Sequence, residues 1–578
     1  MALFFVHMSS RSGEEIEKTG ARLLCEALVN EGVDTIFGYP GGAVLHIYDE
    51  LVNFRDSMTH VLARHEQGAV HMAEGYAKAT GEVGVALVTS GPGATNTVTG
   101  IANAFMDSTP LVVITGQVPT HLLGTDGFQE IDIVGITRAC TKYNYLVRST
   151  DEIPEIVREA FYLAASGRPG PVLIDIPKDL TAKKAARIMP DKLEIPGYAP
   201  HSFADSEKVE KAVEKMLAAK RPVFYVGGGV VHSGGSRELA QLVDRLAIPV
   251  TITLMGLSCF PSAHPRSLGM LGMHGSYAAN MSISEADVII AIGVRFDDRV
   301  TGDLKKFAPH AEIVHVDIDE SSIDKNVLTH ISMIGNAKDV MQQILDSLDR
   351  RPAPAEKRLE AWWETIRAWQ TQAPISYENH PDIIRPQLLC EEISRMTDGD
   401  AIITTDVGQH QMWLAQYYKF RHPRSFLTSG GLGTMGYGFP AAIGAQLAKR
   451  GKLVVAFVGD GGFQMTMQEL ATAVQYRANV KVIVMNNGFL GMVRQWQEVF
   501  YDNNYSEVDM QFQPDFVKLA ESFGAVGLRA DHPAKLTEVL KKGFAIDGPV
   551  VMDIVVSQEE NVYPMVPPGA GLKEMILR

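Results

Sequence analysis

The chain has 578 residues, of which 46% are hydrophobic and 21% are charged, a composition typical of soluble globular proteins. Its length exceeds what a single core can organise, so about two to four domains are expected. The formal net charge of −15 argues against a nucleic-acid surface, because phosphate binding needs a basic field.

The four cysteines, Cys25, Cys140, Cys259 and Cys390, lie far apart and form no CxxC pair. This spacing argues against a disulfide framework and against a zinc site. No apolar run approaches the length of a transmembrane helix. The apolar residues 2–6 are too short for a signal peptide and have no basic segment before them. We therefore expect a cytoplasmic protein that spans no membrane.

Strands and helices are predicted to alternate in three blocks along the chain. The predicted strands are rich in Val and Ile at both odd and even positions, so both of their faces are apolar. Such strands, with helical stretches such as residues 69–77 between them, are typical of parallel sheets buried on both faces. The sequence therefore predicts an α/β fold of three domains, each with a mostly parallel sheet flanked by helices. The predicted strands lie near residues 35–38, 85–89, 111–115 and 172–176, then 223–226, 250–253, 288–292 and 313–318, and finally 401–404, 453–458, 481–485 and 550–555.

Two proline-rich segments, residues 188–203 and 349–356, have the composition of domain boundaries. The expected domains are residues 17–187, 204–348 and 380–556. Residues 557–578 follow as a C-terminal arm, for which a position over the site and disorder are both open. The first and third blocks each place a glycine-rich turn after a strand, at residues 90–93 and 459–462, which suggests a duplicated plan.

Polar residues follow two neighbouring apolar runs of the third block. Asp460 follows residues 453–458, and Asn487 follows residues 482–485. Parallel strands release the chain at one edge of a sheet, where ligands of open α/β folds bind. A carboxylate and an amide oxygen there can hold Mg²⁺, which keeps its other positions for phosphate oxygens. A helix beginning near Met467 is expected to point its N-terminus at a diphosphate.

This pair of motifs resembles the GDG…NN signature of thiamine-diphosphate enzymes. Further matching segments extend over nearly the whole chain, at residues 37–43, 64–67, 89–96, 408–411, 429–436 and 491–496. Together they resemble the acetolactate synthase (acetohydroxyacid synthase) family. The resemblance implies a pyrimidine-binding domain, a central FAD-binding domain and a diphosphate-binding domain, with active sites at the interface of a homodimer.

The resemblance assigns residues to thiamine diphosphate. Glu66, which follows the apolar residues 61–63, is the expected acid that activates the aminopyrimidine ring. Mg²⁺ is expected on the side chains of Asp460 and Asn487 and on the backbone carbonyl of Phe489. Met435 resembles the apolar wedge that bends the coenzyme. The other expected contacts are Pro40, Asn96, Val407, Gly408, Gln409, His410, Gly433, Gly461, Gly462, Gly491 and Met492.

The second block resembles the FAD domain of the biosynthetic enzymes, because a glycine triplet after a strand is followed by the RFDDR segment at residues 295–299. The triplet alone is equally typical of a structural turn. Asn336 stands where the family usually has Asp, and we expect its amide to bind adenine with somewhat altered flavin affinity. The expected flavin contacts are Arg168, Gly227, Gly228, Gly229, Met273, His274, Arg295, Asp317, Ile318 and Asn336.

The resemblance also assigns the substrate pocket. Arg299 resembles the residue that binds the carboxylate of the second 2-ketoacid, which suits a planar guanidinium. Trp496 resembles the residue that favours 2-ketobutyrate over pyruvate as acceptor. Phe128, Gln129 and Lys178 are further pocket candidates. The implied reaction decarboxylates pyruvate and transfers the two-carbon unit to pyruvate or 2-ketobutyrate, giving 2-acetolactate or 2-aceto-2-hydroxybutyrate. This is the first common step of valine, leucine and isoleucine biosynthesis.

Three alternatives follow from the same residues. Glyoxylate carboligase and pyruvate oxidase also combine FAD with thiamine diphosphate, but Glu66 counts against the carboligase, and an oxidase would bleach its flavin during turnover. A non-catalytic paralogue is disfavoured by the intact Glu66, Asp460 and Asn487. The three blocks leave no room for a ligand-sensing domain of about 70–90 residues. Feedback control by valine would therefore require a separate small regulatory subunit. The resemblance implies a second copy of the chain, or a dimer of dimers, as the other partner.

Overall fold

The computed structural model describes residues 17–186, 193, 195–355 and 357–577. The apolar residues 2–6 and residues 188–192 and 194 of the first linker lie outside this part of the chain. Within it, helices and strands alternate in three blocks, as the sequence predicts. None of the described helices is both long and apolar enough to cross a membrane.

The first block contains a six-stranded sheet and a separate two-stranded ribbon, which together hold its eight described strands. Its strands are β1 Lys18–Thr19, β2 Thr35–Tyr39, β3 Thr59–Leu62, β4 Gly84–Val88, β5 Leu111–Gln117, β6 Tyr143–Leu146, β7 Pro171–Pro177 and β8 Lys184–Ala185. Its helices are α1 Gly20–Asn30, α2 Leu45–Leu51, α3 Glu66–Thr80, α4 Pro92–Thr95, α5 Val98–Asp107, α6 Ile133–Thr137, α7 Ile153–Ala165 and α8 Lys178–Ala182. The sheet order is β3-β2-β4-β5-β7-β6, all parallel, and β1 pairs with β8 in an antiparallel ribbon. The central strands β4, β5 and β7 are buried throughout, which explains their continuous apolar runs.

The second block has a parallel sheet of its own. Its strands are β9 Pro222–Val226, β10 Val250–Ile252, β11 Ser267–Met270, β12 Val288–Ile292, β13 Glu312–Asp317 and β14 Ile331–Ile334, in the order β11-β10-β9-β12-β13-β14. Its helices are α9 Ser206–Ala218, α10 Gly228–Ser233, α11 Ser236–Leu246, α12 Tyr277–Glu285, α13 Asp298–Thr301, α14 Ala337–Asp349 and α15 Glu360–Gln372. The sequence left α15 unassigned. It packs on this block, where Trp362 Nε1 donates to the Pro222 carbonyl at 3.1 Å.

The third block repeats the topology of the first. Its strands are β15 Ile402–Thr405, β16 Phe426–Leu427, β17 Val454–Gly459, β18 Val480–Asn486, β19 Val526–Ala530 and β20 Val550–Val555. Its helices are α16 Pro386–Thr397, α17 Gln409–Tyr417, α18 Gly438–Ala448, α19 Asp460–Thr466, α20 Leu470–Gln475, α21 Gly491–Phe500, α22 Phe516–Ser522 and α23 Pro533–Ala545. The parallel order β16-β15-β17-β18-β20-β19 matches the first sheet strand for strand. The predicted α/β fold with three parallel sheets is confirmed.

The first and third blocks share one hydrophobic core. Apolar side chains of α3 and of α18 belong to the same buried cluster, which also contains strand residues of both sheets. The two helices approach closely at two glycines: a Cβ on Gly75 would overlap the Ala441 carbonyl, and a Cβ on Gly444 would overlap the Met72 carbonyl. This contact fixes the position of α3, whose first residue is Glu66.

The C-terminal segment packs against the second and third blocks. Val562 and Met565 are fully buried. The Val566 N–H donates to the Met273 carbonyl at 2.8 Å, and Gln495 Nε2 donates to the Val562 carbonyl at 3.0 Å. These contacts anchor the C-terminal segment to both blocks.

Candidate active site

The two residues predicted to bind the metal follow the ends of two neighbouring strands. Strands β17 and β18 are neighbours in parallel register, and Asp460 follows the first while Asn487 follows the second. Asp460 Oδ2 accepts a hydrogen bond from the Gly488 N–H at 2.9 Å, and Oδ1 accepts one from the Gly461 N–H at 3.0 Å. Asn487 Oδ1 accepts from the Phe489 N–H at 3.1 Å. The carboxylate and the amide oxygen thus meet at one edge of the sheet.

The chemistry of this edge fits a divalent cation. Burial raises the pKa of Asp460 to about 7, although the N–H groups of Gly461 and Gly488 act in the opposite direction. A buried carboxylate without a cation is costly to ionise, and a hard cation removes that cost. Among the described residues no cluster of three or more His, Cys, Asp or Glu side chains could bind a metal. The predicted donors, a carboxylate, an amide oxygen and the Phe489 carbonyl, are oxygen ligands of the kind that suits Mg²⁺.

Buried polar atoms beside these ligands lack partners. His410 Nε2 and Gln409 Oε1 are buried and make no hydrogen bond. Burial lowers the pKa of His410 to about 3, so its ring is neutral. Gly491 leaves room here, because a Cβ on it would overlap Gln409 Oε1. Two neighbouring buried polar atoms of this kind, beside a glycine, fit a bound polar group such as a diphosphate.

The helix and the turn around this edge differ in part from expectation. The helix predicted near Met467 begins at Asp460 itself, since Gly461 and Gly462 continue the helix instead of forming a turn. The half-buried Met435 lies in the turn after Gly433, where φ is 75°. Its Cε lies 3.7 Å from the position that a Cβ on Gly461 would occupy. The Met435 side chain, the predicted apolar wedge, therefore lies next to the first turn of α19.

We call Gln409, His410, Asp460, Asn487 and Phe489 the metal-side group. Among the other coenzyme candidates, Gly408 precedes α17, Gly462 packs on Asp406, and Val407 faces Gly433. Met492 lies in the first turn of α21, on the same side of the sheet as Gly491.

The second set of predicted residues surrounds Glu66. Glu66 begins α3 and is half-buried, and Asn96 Nδ2 donates to its Oε2 at 2.9 Å. A Cβ on Gly93 would lie 3.3 Å from Glu66 Oε1, so the glycine keeps this side of the carboxyl open. We call Glu66, Gly93 and Asn96 the acid-side group. Pro40 is exposed at the end of β2 in the same block.

The two groups are separate within one chain. Among the described residues, no hydrogen bond or ion pair joins the acid-side group to the metal-side group.

The predicted flavin residues gather at the carboxyl edge of the central sheet. Asp317 ends β13, and its Oδ1 accepts from the Asp319 N–H at 2.9 Å, while Oδ2 lies 3.8 Å from His315 Nε2. Burial raises the pKa of Asp317 to about 6. Arg168 reaches this edge from the first block, with Nη1 3.3 Å from Asp319 Oδ2. A buried carboxylate with an arginine beside it is a donor set that fits the ribose and phosphate of a dinucleotide.

Other flavin candidates have structural partners. Gly227 and Gly229 face Gly293, with the Gly229 N–H donating to the Gly293 carbonyl at 3.1 Å, so only Gly228 of the triplet remains for a ligand. The Asn336 side chain caps α14, because its Oδ1 accepts from the Lys338 N–H at 3.0 Å. An aspartate would cap equally well, so a direct adenine contact is not needed to explain this residue.

The remaining flavin candidates lie around the same edge. His274 Nδ1 lies 3.1 Å from the Pro564 carbonyl, and Met273 and Ile318 are half-buried nearby in sequence. Arg295 follows β12, with Nη2 4.0 Å from Asp297 Oδ2.

The two residues predicted to handle the acceptor meet across a domain boundary. The Arg299 guanidinium of the second block lies over the Trp496 ring of α21, 5.6 Å from its centroid. The Arg299 side chain is 59% exposed, so it is free to bind an anion. A cavity of about 500 Å³ opens beside Trp496, lined also by Met492, Val493, Gln497, Tyr501, Asn504 and Ser506.

The pocket candidates of the first block do not reach this cavity within the chain. Lys178 begins α8, Gln129 contacts Gly91 with φ 60°, and Phe128 is 89% exposed.

Comparisons with known proteins agree with this geometry. Family models match three segments: "Thiamine pyrophosphate enzyme, N-terminal TPP binding domain" at residues 18–136, the "central domain" at 209–344 and the "C-terminal TPP binding domain" at 406–554. The acetolactate synthase isozyme 3 large subunit of Escherichia coli is 48% identical over 97% of this chain and 98% of its own. The acetolactate synthase large subunit of Haemophilus influenzae is 46% identical (97% and 98%), and that of Lactococcus lactis is 48% identical (96% of each).

The chain belongs to the acetolactate synthase family of thiamine pyrophosphate enzymes.

Two buried acids near the predicted site of this acetolactate synthase family member were not indicated by the motifs. Asp406 precedes the 408–411 segment; its Oδ1 accepts from the Gly438 N–H at 2.6 Å, its Oδ2 is buried without a partner, and burial raises its pKa to about 6. The sequence did offer a signal for Asp406, because it is an acid that closely follows the predicted strand at residues 401–404. Asp107 accepts from the Gly431 N–H at 2.7 Å and so holds the turn before Met435, with no signal in the sequence.

Proposed function

We propose that this member of the acetolactate synthase family decarboxylates pyruvate and transfers the two-carbon unit to a second 2-ketoacid. The products are 2-acetolactate from pyruvate and 2-aceto-2-hydroxybutyrate from 2-ketobutyrate, the first common step of branched-chain amino-acid biosynthesis. The observation that carries the proposal is the strand-end site, where Asp460 bonds to the turn that contains Asn487.

Thiamine diphosphate, when bound, supplies the electron sink for the carbon that loses CO₂. The metal-side group would hold it: Asp460, Asn487 and the Phe489 carbonyl through Mg²⁺, and His410 through its free nitrogen. FAD would lie at the edge of the central sheet near Arg168 and Asp317. Mg²⁺ and FAD are proposed from the donor sets at these two edges.

Glu66 would hold a proton at the ring nitrogen of the aminopyrimidine. Asn96 fixes one of its carboxyl oxygens by a 2.9 Å hydrogen bond, which leaves the other for the ring. Gly93 keeps that oxygen accessible. The chain therefore orients the acid, and closure of the site around it excludes water from the reacting carbon.

Arg299 and Trp496 would select the acceptor. The guanidinium pairs with the acceptor carboxylate, and the ring beside it packs against the additional methyl group of 2-ketobutyrate. Because one methylene is worth roughly 1–3 kcal/mol, the preference for 2-ketobutyrate should be about 10–200-fold.

A homodimer or a dimer of dimers would combine the two separate groups. Exposed apolar side chains adjoin both of them: Phe128 in the first block is 89% exposed, and Met465 in α19 is 54% exposed. Burial of such side chains favours association. A separate small regulatory subunit and a cytoplasmic location remain predictions from the sequence; inhibition of the isolated chain by valine would contradict the first.

Product analysis tests the function. The purified chain is incubated with pyruvate and 2-ketobutyrate together, with thiamine diphosphate, Mg²⁺ and FAD each omitted in turn. We expect both acetohydroxyacids only with the complete mixture and no net flavin reduction. Bleaching of the flavin under pyruvate would identify an oxidase, and the absence of both products would refute the proposal.

A further inference from the structure

A buried glutamate of the third block holds the backbone in front of Glu66. Glu469 is fully buried, and its Oε1 and Oε2 accept from the Arg64 N–H at 3.0 and 3.1 Å. Arg64 lies in the short connection between β3 and α3, two residues before Glu66. Gly68 makes room on α3, because a Cβ there would overlap Glu469 Oε1.

Two neighbours of Glu469 hold the same strand end. Thr472 Oγ1 donates to Glu469 Oε2 at 2.7 Å and lies 3.2 Å from the Leu62 carbonyl. The Leu62 N–H donates to the Tyr476 hydroxyl at 2.8 Å. The connection that leads to Glu66 is thus held at successive backbone groups by side chains of another domain.

The holding segment begins at the predicted metal ligand. Helix α19 begins at Asp460, continues through the 3₁₀ turn Met467–Glu469 and leads into α20. A buried carboxylate is costly unless it is hydrogen-bonded. Glu469 uses its two oxygens to accept from the Arg64 N–H and from Thr472. Thr472 itself lies against the Leu62 carbonyl, so these contacts converge on the connection before Glu66.

We propose that Glu469 is a positioning residue that sets the place of Glu66 through the backbone of residues 62–65. This inference rests on the proposed function in one respect, the role of Glu66 as the acid that activates the coenzyme. An error of about 1 Å in a reacting group can cost about 10²-fold in rate, so loss of this contact should slow the step that depends on Glu66.

The test uses Glu469→Ala, Glu469→Asp and Glu469→Gln in the full chain. The first readout is hydrogen–deuterium exchange of the peptide covering residues 62–68 without coenzyme. The second is the rate at which the C2 proton of saturating thiamine diphosphate exchanges with solvent, followed by NMR. This exchange rate is measured without substrate, so it tests the role of Glu469 independently of the reaction. Product analysis of the wild type tests the proposed function.

We expect Glu469→Ala to lose protection of the peptide and to slow C2-proton exchange by about 10–100-fold, with Glu469→Asp intermediate. Glu469→Gln keeps an oxygen for the Arg64 N–H and should stay close to wild type. The control Glu238→Ala removes a buried glutamate of the central block and should leave both readouts unchanged.

Wild-type C2-proton exchange in a folded Glu469→Ala variant overturns the proposal. If that variant does not fold, wild-type exchange in Glu469→Asp does so instead. A glutamine variant as slow as the alanine variant also overturns it, because the hydrogen bond would then not be the cause.

Discussion

Asp107, Asp406 and Asp460 are buried aspartates that differ in which groups stabilise the negative charge of their carboxylates. Asp107 accepts from Lys78 Nζ at 2.8 Å, so its charge is paired within the chain. Asp460 and Asp406 accept backbone N–H groups, and burial raises the pKa of each, to about 7 and about 6. The charge of Asp107 is therefore neutralised within the chain, and Asp406 Oδ2 is covered by Gly462. Asp460 is the aspartate that remains available to a cation.

Asp460→Asn tests this difference through pH. In the metal-free folded chain the pKa of Asp460 is about 7, against an ordinary 3.8. Since the folded state binds the additional proton between these values, this group costs stability as the pH rises through about 4 to 7, and the cost persists above pH 7. At pH 8 without metal, the variant should unfold at the same or a higher temperature than wild type, measured by calorimetry.

The two proteins should diverge when ligand is added. At about 100 times the dissociation constant, Mg²⁺ and thiamine diphosphate should stabilise wild type by about 2.7 kcal/mol and the variant by little. Equal stabilisation of both would show that Asp460 holds no metal.

Glu66→Gln tests the acid. The variant keeps the shape of the side chain but cannot exchange a proton, so kcat should fall by about 10²–10⁴-fold while unfolding is unchanged. The matched control is Glu82→Gln, an exposed glutamate of the same block. Near-normal turnover of Glu66→Gln rules out the role.

Residues that follow strands could be predicted, and residues that act from a distant segment could not. Asp460 and Asn487 are recognisable because each ends an apolar run. Glu469 is 405 residues from Arg64, and no local periodicity marks such a partner. Tertiary hydrogen bonds of this kind leave no pattern in the sequence.

Helices α3 and α18 set the relation of the first and third blocks. Their contact depends on Gly75 and Gly444, each of which faces a carbonyl of the other helix. Close backbone approach of this kind allows no side chain, so the position of α3, and of Glu66 at its start, depends on two glycines.

Gly444→Ala should therefore destabilise the chain by about 1–3 kcal/mol, because the new methyl group overlaps the Met72 carbonyl. The control is Gly451→Ala, where a Cβ meets nothing within 4 Å and stability should change by at most about 0.5 kcal/mol. Denaturant unfolding measures both. Equal stability of the two variants contradicts the close contact.

At the level of elements, buried strands were predictable and helix starts were not. The central strands are continuous apolar runs, so their positions agree with the sequence to within a few residues. The start of α19 was misplaced because its glycines are typical of a turn. Helix α15 was missed because the proline-rich segment before it indicated a linker.

The whole chain carries two copies of one topology, and each copy supplies one group of the site. The first sheet places Glu66 and the third places Asp460, and no described hydrogen bond joins their groups. A composite site between two protomers is what the family resemblance predicts. Composition and strand patterns alone could not predict it, since they carry no information about a second copy.

Mixing two inactive variants tests the composite site most directly. Glu66→Gln and Asp460→Asn chains are unfolded together, refolded and assayed for acetolactate, with mixed dimers counted by native mass spectrometry. If each site takes its acid from one protomer and its metal ligands from the other, every mixed dimer has one intact site, and random mixing restores about a quarter of wild-type activity. Mixed dimers that form but remain inactive would show that each site is built within a single chain and would contradict the composite site.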